Sequence, residues 1–184
     1  MSMITETEQH EFRARRFRLR PFRADDAGRL VSLLGDYDVC KMLSRVPYPY
    51  TRAQAVHWIG QNSVARPADE TGFAIDMGDG VVGGIGFRLI DQVPDVGFWL
   101  ARPQWGRGLM SQVARLALEW LFEGTDHDNV SAGFFEGNAA SWRVQEKLGF
   151  EITGQSSVHC LAQGRDLPHI DTLLTRRRFE MLNR

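Results

Sequence analysis

Residues 95–120 read DVGFWLARPQWGRGLMSQVARLALEW, and no other stretch limits the fold as strongly. DVGFWLA is a strand candidate, and Gly106 and Gly108 bracket Arg107 in a tight turn. Leu109 then begins a helix, in which Leu109, Val113, Leu116 and Trp120 recur at i, i+4, i+7 and i+11. Met110, Ala114, Ala117 and Leu121 widen that apolar stripe, while Ser111, Gln112, Arg115 and Glu119 fall on the wet face. A strand that feeds a buried helix through a glycine turn places the chain among the α/β proteins. At 184 residues it has room for one ordinary domain.

The turn has its own chemistry. The first turn of a helix leaves backbone N–H groups unpaired, and the helix dipole adds partial positive charge there. Glycines remove the Cβ atoms that would hold a phosphate away from the backbone, and Arg107 can add a guanidinium. The stretch therefore suits a pyrophosphate. The plainer reading is a glycine turn that only joins a strand to a core helix.

A second glycine cluster fails the same test. Gly78, Gly80 and Gly83 fit the GxGxxG dinucleotide pattern, which needs a strand before it and a helix after it. Here VVGGIGFRLI follows, which is strand-like, and Asp79-Gly80 between two alternating runs signals a hairpin. A nicotinamide cofactor is not expected.

The rest of the chain extends the α/β pattern. Residues 15–21 read as a strand, 24–36 as a helix with Leu30, Leu33 and Leu34 on one side, and SRVPYPYT as a loop. Residues 51–61 form a helix with Thr51 as N-cap, its inner face Ala55, Trp58 and Ile59. Residues 72–90 are a strand, a turn and a strand, with Ile85, Phe87 and Leu89 alternating. NVSAGFF is a strand, and 139–148 a helix capped by Asn138 and Gly149 with Ala140, Val144 and Leu148 as its buried row. FEITGQSSV and HIDTLLTRRRFE close the order as strands. The result is a mixed α/β sandwich around one sheet.

Composition excludes several classes. A net charge of −1 gives no global attraction to nucleic acid or anionic membrane. The six arginines between positions 13 and 23 read as the charged face of an edge strand. Cys40 and Cys160 stand far apart without a CxxC, which disfavours a disulfide scaffold or zinc site and suits a reducing compartment. The opening MSMITETEQH is polar and acidic, so no signal peptide is expected, and no apolar run is long enough to span a membrane. A cytoplasmic protein with a flexible extension over residues 1–11 is the expectation.

GFWLARPQWGRGL followed by NAASWRVQEKLGF resembles the GCN5-related N-acetyltransferases (GNAT), in the ribosomal-protein N-terminal (RimJ/RimL-like) branch. RFRLRPFRADDAGRL and PYPYTRAQAVHWI join the likeness, which spans roughly residues 15 to 178. The resemblance implies one acetyltransferase domain over residues 12–184. Its GNAT fold would have a mixed central sheet of about seven strands, splayed between strands four and five, with about four flanking helices.

It further implies an acetyl-CoA-dependent enzyme that moves an acetyl group directly to a primary amine in a ternary complex. Trp105, Gly106, Arg107, Gly108 and Leu109 would hold the pyrophosphate of acetyl-CoA. Trp99, Leu100 and Ala101 would pair with the pantetheine arm, and a backbone N–H near Trp99 or Leu100 would polarise the thioester. Asn138 and Ser141 would meet the far side of that arm and the sulfur. Asp95 stands where the general base of this branch stands, although a turn aspartate after Pro94 explains it as well. Ser141 is alternatively an ordinary residue of the helix's first turn.

Arg45, Tyr48 and Tyr50 lie in one segment that walls the acceptor pocket of relatives, and His159 and His169 flank the other. A packed proline-rich loop is the simpler account of the first group. His57 reads as a packed or surface helix residue. No metal is expected, no nucleic-acid or membrane partner, and a homodimer is compatible with such a domain. The acceptor would be a protein N-terminus or a small amine. Three positions depart from the family: Pro103 and Met110 in the glycine loop, and Gln145 where many relatives carry a tyrosine acid. A non-catalytic acyl-CoA-binding module of the same fold is the rival reading.

Overall fold

The computed structural model describes residues 12–13, 16–62 and 71–182; the expected extension over residues 1–11 lies outside them. Eight strands form one sheet: β1 (Phe12–Arg13), β2 (Arg18–Pro21), β3 (Thr71–Asp76), β4 (Val81–Ile90), β5 (Val93–Leu100), β6 (Asn129–Phe135), β7 (Glu151–Cys160) and β8 (Arg165–Thr175). Their spatial order is β1-β2-β3-β4-β5-β6-β8-β7. Among the described residues six α-helices accompany them: α1 (Ala27–Leu34), α2 (Tyr37–Cys40), α3 (Arg52–Asn62), α4 (Leu109–Gly124), α5 (Ala139–Leu148) and α6 (Arg176–Leu182).

Every neighbouring pair is antiparallel except β5 and β6. That parallel pair meets only at Asp95 and Ser131, whereas β5 pairs with β4 along its whole length and β6 does so with β8. The two halves of the sheet thus part beyond Asp95. This is the splay expected between strands four and five, the two-residue β1 shifting the count by one.

Helices cover the sheet on two faces. Ala27, Leu30, Leu34, Ala55 and Ile59 pack with Phe22, Ala74 and Val81 on one face. Val113, Ala114, Ala117, Leu118 and Leu121 of α4 pack on the other with Leu19, Phe73, Ile75, Ile85 and Val96. Thr51 caps α3 as expected, its hydroxyl accepting from the Gln54 N–H while Gln54 Oε1 accepts from the Thr51 N–H.

Four sequence expectations change. The arginine-rich strand is not a wet charged face: Arg20 is buried, bidentate to Asp26 at 2.8 Å and bonded to Asp76 at 2.8 Å. The expected last strand over 169–180 stops at Thr175, because the Thr175 hydroxyl accepts the Arg178 N–H and starts α6, which buries Phe179. The short α2 escaped notice, being too brief to show a period. In α5, Ala140 is exposed, and the inner line runs through half-buried Ser141 to Gln145 and Leu148, each 1% exposed.

The cluster at Gly78, Gly80 and Gly83 is a hairpin, as expected. Gly78 and Gly80 take positive φ in the β3–β4 turn, and the Asp76 carboxylate accepts the Gly78 N–H at 2.8 Å.

Candidate functional site

The sheet opens where β5 leaves β6, and main-chain alternation fixes what faces the gap. The Ala101 N–H donates to Val82 of β4 at 2.8 Å. With no irregularity in the β4–β5 pairing, the odd residues of β5 turn their main chain toward β4 and the even ones toward β6. Phe98 and Leu100 therefore present main-chain groups to the gap. On β6, the Glu136 N–H reaches Pro168 and the Asp128 carbonyl accepts from Arg176, both on the β8 side. Gly133 and Phe135 consequently form the opposite lip.

At the mouth of the gap lies the glycine turn. A 3₁₀ turn over Arg102–Gln104 leads to Trp105, whose indole N–H donates to the Leu100 carbonyl at 2.8 Å. Gly106 and Gly108 take φ of +72° and +70°, a left-handed conformation that glycine adopts without steric cost. Gly108 caps α4 with no side-chain bond, leaving the helix's first N–H groups without a side-chain acceptor at that position. A Cβ built on either glycine meets nothing within 4 Å, so no neighbouring group crowds either Cβ position. Arg107 is exposed beside it, and Leu109 is buried beneath.

Across the gap, α5 begins. Asn138 accepts the Ser141 N–H at 3.2 Å, an N-cap that also orients the serine. Gln145 lies one turn further and is fully enclosed. Its Nε2 donates to the Gly133 carbonyl at 3.2 Å and to Ser141 Oγ at 3.1 Å, while its Oε1 accepts from the Thr172 hydroxyl at 2.7 Å.

Asp95 sits at the vertex of the splay, in β5 rather than in a turn. Its carboxylate takes Arg88 Nε at 3.1 Å and the Ser131 hydroxyl at 3.2 Å. Arg88 and Asp95 face each other across β4 and β5. Both line a cleft of about 510 Å³ between those strands, α1, α3 and the loop after α2.

That cleft brings together Arg45, Tyr50, Asp95, Trp99 and His57. Burial raises the Tyr50 phenol above its usual value, so it stays protonated at neutral pH. Trp99 turns its main chain toward β4 and lays its indole over Gly84, where a Cβ would stand 2.8 Å from Nε1. Ala101 likewise points its N–H to β4, leaving Leu100 as the expected residue whose main chain faces the gap. Tyr48 is exposed against Tyr37, ring centroids 5.1 Å apart, and does not line the cleft.

The two histidines separate. His169 is held by Asp171 at 2.8 Å, and the far edge of its ring lies over Gly133, where no side chain blocks it. His159 pairs with Asp166 at 2.6 Å; three residues from His169 along β8, that pair lies on the other face.

Sequence reasoning missed Arg88, Ser131, Phe98 and Asp171. Arg88 was within reach: a two-residue turn at Asp91 and Gln92 sets residue 88 opposite 95. Among the described residues, no group of three His, Cys, Asp or Glu side chains is placed to hold a metal. No helix among them is long and apolar enough to cross a membrane.

The fold that carries this gap and turn is shared with known proteins. The chain belongs to the acetyltransferase (GNAT) domain family, whose profile matches residues 16–151. It is 26% identical over 156 residues to an uncharacterized N-acetyltransferase, p20, of Bacillus licheniformis, covering 82% of this chain and 87% of that one. The fold matches RimJ of Mycobacterium smegmatis, solved in complex with CoA-disulfide, with a TM-score of 0.74 at 19% identity over 91% of this chain and 84% of that one. It also matches the ribosomal-protein-S5-alanine acetyltransferase of Vibrio fischeri, with a TM-score of 0.74 at 16% identity over 92% and 98%.

Proposed function

We propose that residues 12–184 act as one acetyl-CoA-dependent N-acetyltransferase domain that moves the acetyl group directly to a primary amine within a ternary complex. The observation that carries this reading is the gap between β5 and β6 with a glycine turn at its mouth whose Cβ positions are open. Trp105, Gly106, Arg107, Gly108 and Leu109 hold the diphosphate through main-chain N–H groups and one guanidinium. Leu100 and Phe98 offer the pantetheine arm a strand edge to pair with, flanked by Trp99 and Ala101. An N–H of that edge polarises the thioester carbonyl. Asn138 and Ser141 close the far side.

An alkylammonium is not nucleophilic, so a proton must leave the acceptor before or during attack. Asp95 takes that proton through water, with Arg88 and Ser131 fixing the carboxylate's position, and the nitrogen sheds a second proton to water as the amide forms. The nitrogen lone pair forms the new C–N bond, the C–S electron pair ends on sulfur, and the Ser141 hydroxyl donates a hydrogen bond to it. Buried Cys40 and Cys160 lie outside this path, which supports direct transfer without an acyl-enzyme.

The acceptor enters from the cleft lined by Arg45 and Tyr50, with His169 on the opposite lip and Tyr48 and His159 further out. The named structural neighbours favour a protein N-terminus, a ribosomal one by analogy; a small amine is the alternative acceptor. Two free buried thiols fit a cytoplasmic setting.

Calorimetry with CoA and acetyl-CoA, followed by free-thiol release over a panel of amines and N-terminal peptides, tests the reading. Binding with turnover on at least one acceptor is the expected outcome. Asp95→Asn and Ser141→Ala should each lower kcat by about tenfold to a hundredfold while leaving CoA affinity nearly unchanged. Turnover that both substitutions spare removes these two roles but not the enzyme. Tight CoA binding without turnover on any acceptor replaces it with a non-catalytic acyl-CoA-binding module, and no binding removes both.

A further inference from the structure

Gln145 is 1% exposed and cannot reach a substrate itself. Its hydrogen bonds have a direction that the chemistry settles. A main-chain carbonyl can only accept, so the side-chain atom 3.2 Å from the Gly133 carbonyl is the amide nitrogen. The amide oxygen then faces Thr172, whose hydroxyl donates to it at 2.7 Å. One N–H remains, and it points at Ser141 Oγ 3.1 Å away.

The consequence falls on Ser141. Its oxygen is already an acceptor, so its own hydrogen must be directed elsewhere. Among the described residues it donates to none, and Ser141 is half-buried. The Gly133 carbonyl to which Gln145 is tied faces the gap between β5 and β6, which sets the amide and the serine on that lip.

Resting on the acetyltransferase reading above, we propose that Gln145 is a positioning residue that holds Ser141 as a hydrogen-bond donor to the sulfur of the coenzyme. Gln145 does not touch the reacting atoms. It acts by orienting a hydroxyl one turn earlier on the same helix. When the C–S bond breaks, its electron pair stays on sulfur as thiolate, and the O–H of Ser141 lowers the basicity of that thiolate. The acceptor's two protons leave by way of Asp95 and water, so Ser141 need not lose its own.

A merely structural Gln145, pinning α5 to β6 and β8, would affect stability but not the coenzyme's sulfur. The measurement is therefore the ultraviolet thiolate titration of CoA bound to the protein, with the same titration of the protein alone subtracting Cys40 and Cys160. In the wild-type complex the bound thiol should titrate about one pH unit or more below free CoA. Gln145→Met and Ser141→Ala should each abolish most of that shift with CoA affinity little changed, and the double variant should add nothing further. Gln145→Asn, which keeps an amide but withdraws it by one methylene, should lose the shift too, and it serves if Gln145→Met does not fold. A shift that survives at residue 145 but not at Ser141 overturns the role of Gln145. No shift in the wild-type complex overturns the donor role of Ser141 as well. Failure of the wild type to bind CoA at all overturns the acetyltransferase reading and this inference with it.

Discussion

Two glycine clusters in this chain do opposite things. In β4, a Cβ on Gly86 would stand 2.6 Å from the Thr71 carbonyl, and one on Gly83 would collide with the Trp99 carbonyl. These glycines let neighbouring backbones and side chains approach closely, so the protein itself occupies the space. Gly106 and Gly108 need glycine only for their positive φ; a Cβ there meets no atom within 4 Å. A glycine surrounded by protein serves packing, while a glycine facing open space at a helix start leaves room for something else. Of the GxGxxG pattern, Gly83 is of the first kind while Gly78 and Gly80 turn a hairpin; the site fell on the second kind.

The β2–β3 side is reinforced by charge, and it should be the most sensitive region. Arg20, Asp26 and Asp76 have side chains no more than 8% exposed. Burial alone would raise both carboxyls. Hydrogen bonds from Arg20, with the Arg23 N–H for Asp26 and the Gly78 N–H and Arg18 for Asp76, outweigh it and hold both below the ordinary range. Arg20→Met, which strands two buried carboxylates, should cost about 3–5 kcal/mol by chemical denaturation. Because the folded values are depressed, this stabilisation is complete above the unfolded carboxyl value of about 4 and is lost as pH falls below it. Acid titration of the melting temperature should show that decline, shallower in Asp76→Asn.

Gly86→Ala should be next, destabilising by about 1–3 kcal/mol, because a carbonyl of the neighbouring strand must move. Coenzyme affinity per folded molecule should change little. Gly108→Ala should reverse the pattern. Its left-handed φ costs about 1–2 kcal/mol of stability, but calorimetry should show CoA affinity reduced by tenfold or more, about 1.4 kcal/mol or greater. If Gly86→Ala impaired binding more than Gly108→Ala did, the contrast between the clusters would fail.

Much of the fold was legible because its signals are local. The α4 stripe, the Thr51 and Asn138 caps, the Gly149 stop and the hairpin at Asp79-Gly80 each depend on residues a few positions apart, and each stands where the sequence put it. The splay was legible only through resemblance, since no local pattern says that two strands meet at one residue and part. Errors came where tertiary partners overrode polarity. Arg20 reads as surface until Asp26 and Asp76 are beside it, and Gln145, outside the expected buried row of α5, is enclosed by Gly133, Ser141 and Thr172. The 169–180 segment looked uniformly extended because a single hydroxyl, on Thr175, ends the strand.

By itself the sequence determined the alternation of strands and helices, the caps, and the glycine turn poised at a helix start, because backbone sterics and side-chain period act over one or two turns of chain. Only the tertiary structure decided that Phe98 and Leu100 face the gap, that Arg88 and Ser131 flank Asp95, and that an enclosed amide aims a serine hydroxyl. Those facts depend on strand register and on groups up to 36 residues apart. Registers are set by the packing of the whole sheet, which no short window contains.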